Sequence, residues 1–144
     1  MSDLADVLAA LNRERARYLL VGGLASVLHG VPRTTTDIDV ALDPDPRNVR
    51  RALRALERVG LVADTIAVED ILGQGGVTAT NDLSVDLLTS LPVGTFSALW
   101  RRRNAIRFRG IRAPVVSKED QVRLLRASGR RKDTEDADYL ESLR

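Results

Sequence analysis

The stretch that decides the fold reads Tyr18-Leu19-Leu20-Val21-Gly22-Gly23-Leu24-Ala25 and then, further along, Arg33-Thr34-Thr35-Thr36-Asp37-Ile38-Asp39-Val40-Ala41-Leu42. The apolar run 18–21 ends on two glycines, and residues 24–29 have helical character up to Gly30, so the segment reads as strand, glycine turn, helix. After Pro32, Ile38, Val40 and Leu42 alternate with Asp37, Asp39 and Ala41, which predicts a half-buried strand over 37–42. Period-two geometry then sends Asp37 and Asp39 to the same face. Two neighbouring carboxylates repel, so such a pair calls for a cation, either a divalent metal or a basic side chain.

The chain supplies oxygen donors in abundance but a single histidine and no cysteine, which selects Mg²⁺ or Mn²⁺ over zinc. Gly22-Gly23, bare of side chains between a strand and a helix, can admit a phosphate to the backbone N–H groups. Arg33 is placed to bind a phosphate or to neutralise Asp37, and Thr34, Thr35 and Thr36 add hydroxyls beside it. Ser84-Val85-Asp86-Leu87-Leu88 is a strand of the same kind as 37–42, and Asp86 is the third carboxylate. Three carboxylates can hold two metals, the arrangement that activates a hydroxyl and neutralises a leaving pyrophosphate.

Outward from this centre, Leu4, Val7, Leu8 and Leu11 predict a helix over 3–16 behind Ser2 or Asp3 as N-cap. Val49, Leu53, Leu56 and Val59 predict another over 46–59. Periodicity leaves 61–72 unassigned, 73–82 reads as a turn and an edge strand, and 107–116 as a β segment interrupted by Gly110 and Pro114. Phe96, Leu99 and Trp100 form a core-facing stripe at helical spacing, and His29 meets the end of its helix. Ser117 caps a further helix, and a last one spans about 133–143.

Alternating strands and helices in 144 residues predict one α/β (α+β) domain, a mixed β-sheet flanked by helices with a C-terminal helical element. Residues 1–92 form the core and 93–144 the basic C-terminal part. The net charge of +2 conceals 9 basic and 13 acidic residues over 1–100 against 13 and 7 over 101–144. The stretch 101–132 reads either as a surface for an anionic partner such as RNA or as a solvated face. Aromatics at 3% give no base-stacking platform. No signal sequence or apolar span is visible, which predicts a cytoplasmic protein with no membrane partner.

Val21-Gly22-Gly23-Leu24-Ala25 through His29-Gly30, followed by Arg33-Thr34-Thr35-Thr36-Asp37-Ile38-Asp39-Val40, resembles the signature of the DNA polymerase β-like nucleotidyltransferases. The nearest likeness is to minimal bacterial proteins related to the AbiEii toxin type. The resemblance implies a nucleotidyltransferase fold, with Gly22 and Gly23 at the helix that meets the nucleotide and Asp37, Asp39 and Asp86 as catalytic metal ligands. It also matches Gly129 to Asp136 with a basic-then-acidic element, adding Lys132 to Arg33 and Thr36 as nucleotide contacts. The implied activity moves a nucleoside monophosphate from an NTP such as ATP to a hydroxyl of protein or RNA, tRNA included, with a cognate toxin or antitoxin as partner. The competing expectation is a non-catalytic nucleotide-binding or antitoxin-type module that keeps the fold. One departure stands out: relatives often carry a lysine inside the helix that here reads Leu124-Leu125-Arg126, which leaves Arg123 or Arg126 as its only substitutes.

Overall fold

The computed structural model describes residues 3–63, 67–80 and 83–143. Helix α1 (Leu4–Arg13) starts at a reciprocal cap: the Asp3 carboxylate accepts from the Asp6 N–H and the Asp6 carboxylate from the Asp3 N–H. Ser2, the alternative cap, lies outside the described residues. The helix ends earlier than its apolar pattern suggests, because Arg15 turns to a positive φ of 58° just past the C-cap Glu14. Strand β1 (Tyr18–Val21), helix α2 (Gly22–Leu28), strand β2 (Asp37–Leu42) and helix α3 (Pro46–Arg58) follow. Pro46 opens α3 beside Asp45, whose side chain accepts from the Arg47 N–H.

Within the unassigned region lie a two-residue strand β3 (Val62–Ala63) and helix α4 (Val68–Gln74), closed by Gly75 at φ 80°. Strands β4 (Gly76–Thr80) and β5 (Ser84–Leu88) then form an antiparallel pair; residues 81 and 82 of the segment read as 73–82 lie outside the described residues. Helix α5 (Phe96–Arg101), strands β6 (Asn104–Phe108) and β7 (Ile111–Val115), and helices α6 (Lys118–Ser128) and α7 (Arg131–Ser142) complete the described chain.

The strands form one mixed sheet in the order β3-β4-β5-β2-β1-β7-β6. This corrects two expectations. Strand β4 is not an edge, since β3 pairs with it from outside. The segment 107–116 is not one interrupted strand but the greater part of a hairpin that begins at Asn104. Arg109 and Gly110 both take positive φ in its turn, and Pro114 sits inside β7 opposite Ala105.

Ile38, Val40 and Leu42 on one face of β2 are fully buried among Leu8, Leu11, Leu19, Leu20, Leu56 and Leu87. Each such side chain withdraws apolar surface worth about 2 kcal/mol from water. A second, smaller cluster of Val31, Val122, Leu125, Ala137 and Leu140 holds α6 and α7 against the loop after α2. That cluster brings the C-terminal helices over the acidic face of β2. No described helix is long and apolar enough to cross a membrane.

Candidate active site

Strand register lines up Val21, Asp39, Asp86 and Thr78 in one row across β1, β2, β5 and β4. Directly paired residues point to the same face, so Asp39 and Asp86 meet side by side. Thr78 Oγ1 donates to Asp86 Oδ1 at 2.6 Å and fixes that carboxyl from the far side. Asp37, two residues before Asp39, faces the same way from the exposed start of β2. The Asp39 carboxyl is pushed up to about 6, first by burial, then by its hydrogen bond to Asp86 and the negative charges of Asp86 and Asp37. The Gly23 N–H donates to Asp39 and works against that rise.

Gly22 is pressed onto this pair. Its φ is +66°, and a Cβ placed on it would lie 2.0 Å from Asp39 Oδ2, so only glycine fits. At Gly23 a Cβ would meet nothing nearer than Thr35 Oγ1 at 3.5 Å. The two glycines therefore differ: Gly22 makes room for a carboxylate, while Gly23 gives its N–H to that same carboxylate.

Gln121 of α6, which the sequence reading did not single out, is fully buried and secures the turn. Its Nε2 donates to Gly22 O at 2.8 Å and to Ser26 Oγ at 2.9 Å. The available signal was a lone amide within the apolar stripe of α6. Asp136, in the sequence only the last residue of the basic-then-acidic element 129–136, has a partner of its own. It is buried and holds Arg33, which therefore pairs with α7 and not with Asp37.

These groups line a cleft of about 470 Å³ that also takes in Thr34, Thr35, Lys132, Leu88, Leu91 and Leu124. Thr36 is exposed and is not part of this lining; Thr34 and Thr35 bring the hydroxyls instead. Lys132 is exposed on the rim. Arg123 and Arg126 do not substitute for a helix lysine: the first pairs with Asp120, the second with Asp138 and Glu141. Pairing also disperses the basic stretch, since Arg102, Arg109, Arg130 and Arg131 hold Asp120, Asp3, Asp133 and Glu135. Trp100 packs on the core beside Phe96, and the ring of His29 contacts Val116 O through Nε2 at 2.7 Å.

Among the described residues no three carboxylate or imidazole groups already surround one point as a closed metal ligand set. The donor chemistry nevertheless suits a hard divalent ion at Asp39 and Asp86, adjacent carboxylates on paired strands, with Asp37 on the same face.

A glycine turn clamped onto an acid pair, with a third acid on the same strand face, is accompanied by a match in sequence. Residues 2–140 match the family described as "Nucleotidyltransferase of unknown function (DUF6036)". The chain belongs to this family. Its fold is likewise that of solved nucleotidyltransferases. The lincosamide antibiotic adenylyltransferase LnuA, solved with lincomycin bound, is 21% identical, with a TM-score of 0.67 over 96% of this chain and 94% of that one. The antibiotic-resistance factor ANT(2″)-Ia, solved with adenylyl-2″-tobramycin, is 16% identical, with a TM-score of 0.66 over 94% of this chain and 83% of that one. No curated protein is significantly similar to the chain in sequence. For this family member, the matched region contains the whole acid row and the Gln121 clamp.

Proposed function

We propose that this nucleotidyltransferase moves a nucleoside monophosphate from an NTP to an acceptor hydroxyl in a reaction that depends on Mg²⁺ or Mn²⁺. The observation that carries the reading is the register pair Asp39 and Asp86, side by side where the Gly22 turn closes onto Asp39. Asp37, Asp39 and Asp86 would hold the metal. When bound, it supplies positive charge to the triphosphate and to the attacking oxygen.

The remaining roles fall to the chain's own groups. Gly22 lets the turn close onto Asp39, and the Gly23 N–H fixes the Asp39 carboxylate that faces the triphosphate. Lys132 on the rim meets phosphate oxygens, together with the hydroxyls of Thr34 and Thr35 in the same cleft. Asp86, oriented by Thr78, accepts the proton from the acceptor hydroxyl as its oxygen bonds to the α-phosphorus and pyrophosphate leaves. ATP is the first nucleotide to try, given the adenylyl transfer named for the structural neighbours. The AbiEii-like signature supports a hydroxyl of protein or RNA as acceptor within a toxin–antitoxin pair, whereas those neighbours carry small hydroxylated antibiotics.

One feature favours a second reading, a binding module that keeps the fold without turnover: α6 offers Leu124 and Leu125 to the cleft where a lysine is expected. Label transfer separates the two. The protein is incubated with each α-labelled NTP, Mg²⁺ or Mn²⁺, and separate pools of RNA, protein and hydroxylated small molecules, beside Asp39→Ala. Transfer abolished by the substitution supports catalysis; no transfer in any pool, or transfer that survives, supports the module.

A further inference from the structure

A groove of about 530 Å³ lies at the opposite end of β1 and β2 from the acid row. Its floor is the junction where Asp43 N–H donates to Arg17 O, four residues along each strand from the Val21 and Asp39 pair, or roughly 13 Å at strand spacing. Arg15, Arg17, Arg47 and Arg51 line it together with Trp100.

Two carboxylates share the groove, and both are committed. Asp43 pairs with Arg17 at 3.6 Å and accepts from the Asp45 N–H, while Asp45 caps α3. Within the described residues Arg15, Arg47 and Arg51 have no ion pair. Trp100 presets two guanidinium groups: Arg103 lies 3.8 Å and Arg17 4.8 Å from its ring centroid. Arg15 occupies the C′ position of α1 at φ 58°, where glycine would cost about 1 kcal/mol less. Arg15 thus keeps a strained backbone position while its charge, unpaired among the described residues, lines the groove.

We infer that this groove, and not the 101–132 stretch, is a docking surface for the phosphodiester backbone of a nucleic acid. Guanidinium forks match phosphate oxygens, and backbone recognition needs charge alone. A protein partner would need an apolar anchor to bury. The groove offers none, because the ring of Trp100 is covered by Phe96, Arg17 and Arg103. With its ring so occupied, recognition is independent of base identity. The inference concerns binding alone and does not depend on the transfer reaction.

The test is fluorescence anisotropy of the full chain with a short labelled RNA and the DNA of the same sequence, titrated between about 50 and 200 mM salt. Four released counterions predict a slope of log K against log salt near −3 for a single strand. Arg47→Glu/Arg51→Glu should weaken binding at least tenfold, while the equal double reversal Arg107→Glu/Arg112→Glu, at exposed positions of β6 and β7, should change it less than twofold. Arg15→Ala/Arg47→Ala serves as a second variant should the first fail to fold, with a weakening of several-fold expected. Equal binding of RNA and DNA fits backbone recognition, and a preference for RNA adds contacts to the 2′-hydroxyl. Absence of binding at low salt, equal losses in the Arg107/Arg112 variant, or displacement by polyglutamate as effective as by RNA would overturn the proposal, the last in favour of an acidic protein partner.

Discussion

Gly22 and Asp39 stand so close that a single methyl group on Gly22 would lie 2.0 Å from the Asp39 carboxylate. Gly22→Ala therefore meets a steric clash and a strained φ of +66° together, a loss of about 1–3 kcal/mol. Gly23→Ala adds its methyl at ordinary contact distance from Thr35 and should cost less than about 1 kcal/mol. Urea denaturation of the two variants checks the contrast; equal stabilities would mean that the turn is not seated on Asp39.

The raised Asp39 carboxyl makes a pH prediction for the metal-free protein. Below the unfolded value of about 4, both folded and unfolded states are protonated and the site is neutral in its effect. As pH rises towards 6 the unfolded chain ionises first, so the site progressively destabilises the fold, and the penalty is complete above about 6. Asp39→Asn should accordingly raise the melting temperature in chelator at pH 7.5, by about 2–4 °C for roughly 1 kcal/mol after solvent screening. The gain should vanish towards pH 4. A variant less stable than the parent at pH 7.5 contradicts this.

Gln121→Leu leaves the Gly22 carbonyl and the Ser26 hydroxyl without their donor inside the protein. The expected loss is about 1–3 kcal/mol. Calorimetric melting is the check, and an unchanged melting temperature would mean that water replaces the amide at no cost.

Arg33 was open to two roles in the sequence, phosphate contact or neutraliser of Asp37, and its observed partner lies 103 residues away. Arg33→Ala should destabilise by about 3 kcal/mol, because it strands the buried Asp136 carboxylate, and Arg33→Met/Asp136→Leu should recover most of that loss. Additive losses in the double variant would refute the pairing.

What the sequence made legible follows from the range of the interactions involved. Strand β2 falls on residues 37–42 as alternation predicts, because its period-two pattern reports burial of Ile38, Val40 and Leu42 directly. Pairing partners are another matter. Nothing local to 76–80 states that β3 lies outside it, or that Thr78 will face Asp86. Helix α4 has two turns and no side-chain cap, so Val68, Ile71 and Leu72 make too short a pattern to read. The hairpin turn hides behind Arg109, a residue that seldom takes positive φ. The basic stretch left two readings open because part of its neutralisation, Arg126 by Asp138 and Glu141, is brought in by the packing of α7 against α6.

The most direct test of the central claim is turnover of α-labelled NTP by the parent and by Asp86→Asn under Mg²⁺, with folding of both verified by circular dichroism. The Asp39–Asp86 centre predicts a fall in transfer of at least about 100-fold in the variant with its fold intact. Transfer at the parental rate in a folded Asp86→Asn protein would contradict it.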